Sequence, residues 1–374
     1  MDDPARIAVL LPVREVLSKR KSGAVALSLR DFTRFSRFRS ETVILGTAPC
    51  DFDDVPFQQL AGWRRWHLRD RVAYARAAAL FAKERGVALV EVQNRPTILT
   101  GLRRLLPETK LALFLHNDPQ EMAGTRGARD RRRVLAAADA IYCVSEFVRG
   151  RFLEGLGGDS GKVHVVPNGL EIDAIQRLAK EKIIAFVGRI VRDKGVVELV
   201  QAFALAAPRL PDWRLAIAGE DKNGLLAREL RGEIAALGER LTLLGQIRHD
   251  EAMALFARAE IAATPALWRE PFGRTTLEAM AAGCAVVSSA SGGSGEILAD
   301  CGVVVEKVRP DALAEALVVL AQDDQRRADL QRRGAARAAS RFDIRAAAAR
   351  LDALREALLV GAPAARRPSL GLHG

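Results

Sequence analysis

Glu270 and Glu278 stand eight positions apart in the run Glu270-Pro-Phe-Gly-Arg-Thr-Thr-Leu-Glu278, and a Pro-Phe-Gly turn between them reads directly into a helix. Ionised carboxylates are strong acceptors, so such a pair suits the vicinal hydroxyls of a ribose or hexose ring. Glu270 is expected on the loop and Glu278 just over one turn into the helix. The amides of Phe272, Gly273 and Arg274 would point out of the helix start, where unpaired N–H groups and the helix dipole attract anions. Ala279-Met-Ala-Ala-Gly283 then ends the helix on a glycine cap, and Cys284-Ala-Val-Val-Ser-Ser289 reads as a buried parallel strand. Two glutamates at this spacing alone would fit a solvated helix face. The turn between them and the glycine-to-strand step after them favour a site.

A second constellation is Phe186-Val-Gly188-Arg189-Ile-Val-Arg-Asp-Lys194-Gly195, which follows one apolar strand and leads into a helix. Gly188 at the strand end lets backbone approach a ligand closely. Arg189 can hold phosphate oxygens bidentately and Lys194 adds a compact charge, so the pair can stabilise a leaving diphosphate. The run has neither the G-x-G-x-x-G of dinucleotide folds nor the Gly-Lys-Ser/Thr end of a Walker loop. Earlier in the chain, Phe114-Leu-His116-Asn117-Asp118-Pro119 ends a strand in polar residues at the carboxyl edge, where ligands collect in open α/β sheets. Glu91-Val-Gln-Asn94-Arg95-Pro96 ends the preceding strand and reads equally as an acceptor-pocket lining or a capping turn.

The elements that must position these residues alternate. Strands are expected near 7–12, 42–46, 88–92, 110–116, 140–144 and 163–166, with helices through Phe32 and over 72–86, 98–106 and 129–137. Val166-Pro-Asn-Gly169 is a turn signal, and the alternation restarts at Lys182-Ile-Ile-Ala-Phe-Val187. Further strands follow near 214–218, 241–244, 260–263, 284–289 and 302–305, with helices over 196–206 and 311–322. Arg341-Phe-Asp-Ile-Arg begins a final Ala/Arg-rich helix. The fold class is α/β, with two doubly wound parallel-sheet domains, a hinge at about 170–180 and a cleft between them.

A chain of 374 residues suits two domains, each burying its own core. No apolar run nears the roughly 20 residues that span a bilayer. The opening Met1-Asp-Asp-Pro lacks the basic start of a signal peptide. Cys50, Cys143, Cys284 and Cys301 are far apart in apolar surroundings, which fits neither a zinc site nor a disulfide framework. A cytoplasmic setting is expected. The net charge of +11 is uneven: residues 1–170 carry 28 Lys/Arg against 19 Asp/Glu, and the remainder 29 against 27. Arg14, Lys19, Arg20, Lys21, Arg30, Arg34, Arg37 and Arg39 interleave with Phe32, Phe35 and Phe38, followed by Trp63-Arg-Arg-Trp66. This is either a patch for an anionic membrane surface or a solvated helix face over buried aromatics. No recognition-helix, zinc-finger or RNP pattern accompanies it, so a nucleic-acid partner is not expected.

Leu267-Trp-Arg-Glu-Pro-Phe-Gly-Arg and Leu277-Glu-Ala-Met-Ala-Ala-Gly, with their two glutamates, resemble the E-x7-E element of retaining glycosyltransferases of the GT-B fold, family 4. The resemblance implies two Rossmann-like domains: 1–172 on the acceptor side, completed by a returning helix at about 345–360, and 173–344 for the nucleotide sugar, with 361–374 as a loose tail. It implies that His116 faces the donor sugar, and that the main chain near Gln246 and Ile247 meets the base. A donor phosphate oxygen would help deprotonate the acceptor. Ser22-Gly23 would face phosphate, although one glycine stands where the family often has two. Ser291-Gly-Gly-Ser-Gly-Glu296 resembles the family's Gly-Gly-x-Pro-Glu with Gly295 in place of proline, and a looser loop is expected there.

The activity implied is transfer of a hexose, with retention, from a UDP- or GDP-linked donor to a hydroxyl of a glycan or lipid-linked acceptor. It resembles the transferases that build lipopolysaccharide or other surface glycans at the inner membrane face. No metal and no cofactor beyond the donor are expected. The rival expectations are a GT-B epimerase or phosphorylase, and a basic membrane-peripheral binding protein without chemistry.

Overall fold

The computed structural model of the chain describes residues 5–13, 15–19, 22–61, 63, 70–158 and 161–360. They form two compact units, one made of residues up to Gly169 together with those from Ile344 onward, the other of Leu170–Asp343. Each is a parallel sheet covered by helices, so the α/β, two-Rossmann-like expectation holds.

In the first unit the described strands are β1 (Ile7–Leu10), β2 (Thr42–Gly46), β3 (Phe57–Gln59), β4 (Leu89–Gln93), β5 (Lys110–Leu115), β6 (Ala140–Cys143) and β7 (Val163–Val165). Their order is β3-β2-β1-β4-β5-β6-β7, every pairing parallel. Strands covered on both faces read as continuous apolar runs, and β1 and β4 are buried at every position. The helices are α1 (Ala24–Phe35), α2 (Asp70–Arg85), α3 (Pro96–Leu105), α4 (Ala128–Ala137) and α5 (Glu146–Leu153). Two of these elements escape sequence patterning. β3 is a three-residue edge strand with two exposed glutamines. α5 is short, and its main local signal is the Ser145 hydroxyl accepting from Val148 N–H as an N-cap.

The second unit holds β8 (Glu181–Val187), β9 (Arg214–Ala218), β10 (Leu241–Gly245), β11 (Ala259–Thr264), β12 (Ala285–Ser288) and β13 (Gly302–Val304), in the order β10-β9-β8-β11-β12-β13. Its helices are α6 (Val196–Ala206), α7 (Leu225–Glu229), α8 (Arg231–Leu237), α9 (His249–Arg258), α10 (Arg274–Ala281), α11 (Gly293–Leu298), α12 (Pro310–Gln322) and α13 (Asp324–Arg341). The core is mainly aliphatic and includes Ile184, Leu199, Leu215, Ile261 and Leu317 together with the aromatic Phe203. The chain enters this unit at Leu170 and leaves at Asp343, and the two points are bridged, with Leu170 N–H donating to Phe342 O at 2.9 Å.

The closing helix expected from Arg341 starts three residues later, and a further helix that the sequence reading did not anticipate precedes it. α13 runs to Arg341, Phe342 packs edge-on against Phe272, and α14 (Ile344–Leu359) belongs to the first unit. α13 hides from periodicity because its buried seam, Leu330, Gly334 and Ala338, is small. No described helix is long and apolar enough to cross a membrane.

Candidate active site

In the second unit two loops at the carboxyl ends of β8 and β11 are stitched together. Gly195 has φ +67°, and a Cβ there would fall 1.9 Å from the Pro265 carbonyl oxygen, so only glycine allows the turn to dock. Leu267 N–H donates to Asp193 O at 2.8 Å beside it. The docking brings Lys194 to Glu270. The ammonium makes an ion pair with Glu270 Oε1, Trp268 Nε1–H donates to the same oxygen at 3.0 Å, and the ammonium lies 5.0 Å from the Trp268 ring centroid. Both donors take Oε1, so Oε2 is the oxygen left to accept from a ligand. Glu270 is itself held in place, because its N–H donates to Ser291 O and its carbonyl accepts from Gly293 N–H at 2.7 Å. The 291–296 stretch, where a looser loop is expected for lack of proline, shares these two hydrogen bonds. It is pinned to Glu270 and continues straight into α11.

Gly273, at φ +95°, turns the chain into α10, and a Cβ there would meet Ser294 at 2.7 Å. The start of α10 opens on a recess whose lining includes Gly188, Lys194, Glu270, Gly273, Arg274 and Ser294. The first amides of α10, the Lys194 and Arg274 cations and the Glu270 carboxylate border a common space, which suits an anionic group joined to a polyol. Phe272 is different. Its ring is buried against Phe342, so only its backbone remains for a ligand. Arg189 is exposed, and Gln246 is exposed on the loop after β10.

Glu278 is buried in α10. Burial raises its carboxyl, but the hydrogen bond from His249 and the charge of Arg274 outweigh that and hold it below the usual carboxylate range. His249 Nε2 lies 2.9 Å and Arg274 Nε 2.8 Å from Glu278 Oε1. Neither His249 nor Trp268 stood out in the sequence as a site residue. The available signals were Trp268 two positions before Glu270, and His249 opening a helix two positions past Ile247.

In the first unit, His116 directly follows β5 and is buried. Its ring stacks on Phe114 at 4.4 Å, Nε2 lies 2.8 Å from Gln93 Oε1, and its N–H donates to Asn94 Oδ1 at 3.0 Å. Burial pushes its pKa down to about 3, so the imidazole is neutral at pH 7. Asn94 is thus a backbone brace, held at φ +55°. Arg95 is half-buried and donates to Asn94 O, and Asn117 is exposed.

Three expectations need correction. Glu91 does not line a pocket: it is wholly buried and both its oxygens accept from Arg355 of α14, at 2.8 and 2.7 Å. Asp118 is also structural, capping Gln120 N–H and pairing with Arg151 at 2.9 Å. Gly23 meets a helix start already occupied by an anion. The Glu15 carboxylate accepts from Ala26 N–H, and a Cβ at Gly23 would fall 2.3 Å from Glu15 Oε1. Burial raises the Glu15 carboxyl, against the pull of Arg95 and that amide.

Three cations of the basic, aromatic stretch are held in ion pairs. Arg30 and Arg34 both engage Asp54, Arg37 pairs with Glu356, and their guanidinium carbons lie 4.1, 5.1 and 4.9 Å from the rings of Phe52, Phe35 and Phe38. Arg14, Arg20, Lys21, Arg64, Arg65 and Trp66 lie outside the described residues.

Residues 170–337 match the family model described as Glycosyl transferases group 1, and residues 40–174 match Glycosyltransferase Family 4. The phosphatidyl-myo-inositol mannosyltransferase of Mycobacterium tuberculosis is 31% identical over 195 residues, 48% of this chain and 50% of that protein. A GDP-mannose-dependent monoacylated alpha-(1-6)-phosphatidylinositol monomannoside mannosyltransferase of Corynebacterium glutamicum is 24% identical over 84% of this chain and 89% of its own length. The chain spans about half the length of the curated mycobacterial relatives it matches. Anabaena Alr3699/HepE, solved in complex with UDP-glucose, superposes with a TM-score of 0.75 at 20% identity over 94% of this chain and 99% of that one.

Proposed function

Because the chain belongs to the family 4 glycosyltransferases of the GT-B fold, we propose that it moves a hexose from a UDP- or GDP-linked donor to a hydroxyl of a glycan or lipid-linked acceptor, with retention. The observation that carries this reading is the recess at the start of α10, where Gly188, Lys194, Glu270 and the first amides of the helix converge. Glu270 Oε2 would accept from a sugar hydroxyl. Lys194, Arg189 and the helix start would take the charge of the departing diphosphate as the glycosidic bond breaks. Glu278 would hold the ribose, the Gln246–Ile247 main chain the base, and neutral His116 would act as a hydrogen-bonding group rather than a cation. A donor phosphate oxygen would take the acceptor proton.

The lipid named in the mycobacterial and corynebacterial relatives supports a lipid-linked acceptor. A role in surface-glycan synthesis at the inner face of the cytoplasmic membrane, with the basic first unit against anionic lipid, extends that reading. Thermal-shift screening against UDP- and GDP-linked glucose and mannose tests it, followed by product analysis of the donor that binds. A stabilised protein that releases nucleoside diphosphate and forms a glycoside with retained configuration is the expected result. Release of an epimerised sugar nucleotide or a sugar phosphate would replace transfer with another reaction. Because the cations here can neutralise the leaving group, turnover is expected to persist in EDTA. Loss in chelator with recovery on magnesium would require a metal.

A further inference from the structure

His249 is the first residue of α9, and its position is set locally: Glu251, three residues past the Arg248 cap, reaches back to accept from Arg248 N–H at 2.7 Å. The loop leading to it is anchored at its other end, where Gly219 N–H donates to Gly245 O at 2.8 Å. From there the imidazole reaches 29 residues along the chain to Glu278, with its Nε2 2.9 Å from Oε1 and nearly half its side-chain surface still exposed. Arg274 Nε occupies the same oxygen at 2.8 Å. A carboxylate whose one oxygen is held from two sides is restrained in rotation, which leaves its second oxygen, Oε2, to accept from another group.

We propose that His249 is a positioning residue for the nucleoside of the donor: it orients Glu278 so that Oε2 meets the vicinal ribose hydroxyls, and ties the base-side loop to the ribose-side helix. This rests on the donor reading above. Without His249 the carboxylate keeps one donor, swings more freely, and loses the gain of a pre-set acceptor. The effect therefore falls on binding the nucleoside, not on the bond being broken.

The test compares wild type, His249→Ala and His249→Gln, whose amide can donate to Oε1 in place of the ring. Affinities are measured for UDP and GDP and for their 2′,3′-dideoxy counterparts, with steady-state kinetics on the productive donor. His249→Ala is expected to weaken the ribonucleotide and raise donor KM about 5- to 20-fold, on the order of 1–2 kcal/mol, with kcat within about twofold. His249→Gln should recover most of the loss, and the dideoxy ligand should bind wild type and His249→Ala alike. Unchanged ribonucleotide affinity in His249→Ala overturns the proposal, as does a loss shared equally by the dideoxy ligand and not restored by glutamine. Failure of wild type to bind either diphosphate would remove the donor reading itself, a distinct result.

Discussion

Arg189 and Lys194 answer replacement differently because the fold engages only one of them. Arg189 is exposed and its side chain makes no hydrogen bond or ion pair among the described residues, so Arg189→Ala should leave the melting temperature within about a degree. Turnover should still fall at least tenfold if the guanidinium meets the leaving diphosphate; equal turnover removes it from the site. Lys194→Ala strips Glu270 of its ion pair, so a stability loss on the order of 1 kcal/mol is expected beside a deeper loss of turnover. His116 carries a pH signature. Its folded pKa of about 3 lies below the 6.5 of a free imidazole, so as pH falls through that window the unfolded chain takes up a proton that the folded chain refuses. Its contribution is intact above about pH 6.5 and is lost progressively toward pH 3. Urea midpoints from pH 7 to pH 4.5 should therefore decline more steeply for wild type than for His116→Gln, and parallel declines would refute the buried neutral ring.

Among the elements, α14 matters most for integrity. Arg355 is wholly buried, joined to Glu91 of β4 through both carboxylate oxygens, and it also reaches Ser36 at 3.2 Å and Asp352 at 3.4 Å. Burial lowers its pKa, but the Glu91 charge overrides that and keeps it ionised. Asp352 in turn accepts from Ser36 Oγ at 2.6 Å and Arg37 N–H at 2.8 Å, fastening α14 across the end of α1. Breaking one member leaves a buried charge unpaired, so Arg355→Leu should cost about 3–5 kcal/mol in chemical denaturation. The Glu91→Leu, Arg355→Leu double variant should recover a substantial part of it, since removing both charges removes the uncompensated one. Additive losses would mean that the pair is not coupled.

At the scale of the whole molecule, the charge excess of the first 170 residues predicts salt-sensitive flotation with anionic vesicles at low ionic strength and none with neutral ones. Absence of lipid-dependent flotation at low salt would leave the basic residues as the local ion pairs seen along α1. Much of the molecule was legible beforehand. Parallel strands buried on both faces write themselves as short apolar runs, and a glycine-rich turn before a helix marks an anion-facing start, so both sheets and the Glu270–Glu278 pair were readable. Local patterning carries the order of the elements and the candidates for binding a phosphorylated sugar. Which of those candidates are already engaged by other side chains follows from packing alone. Glu91 at a strand end looks like a pocket carboxylate until Arg355, 264 positions away, is found on it, and His249 is unremarkable until α9 carries it to Glu278. The reason is physical: a strand or cap is encoded by neighbours within a few residues, while the partner that occupies or orients a charge comes from any part of the chain that packing brings near.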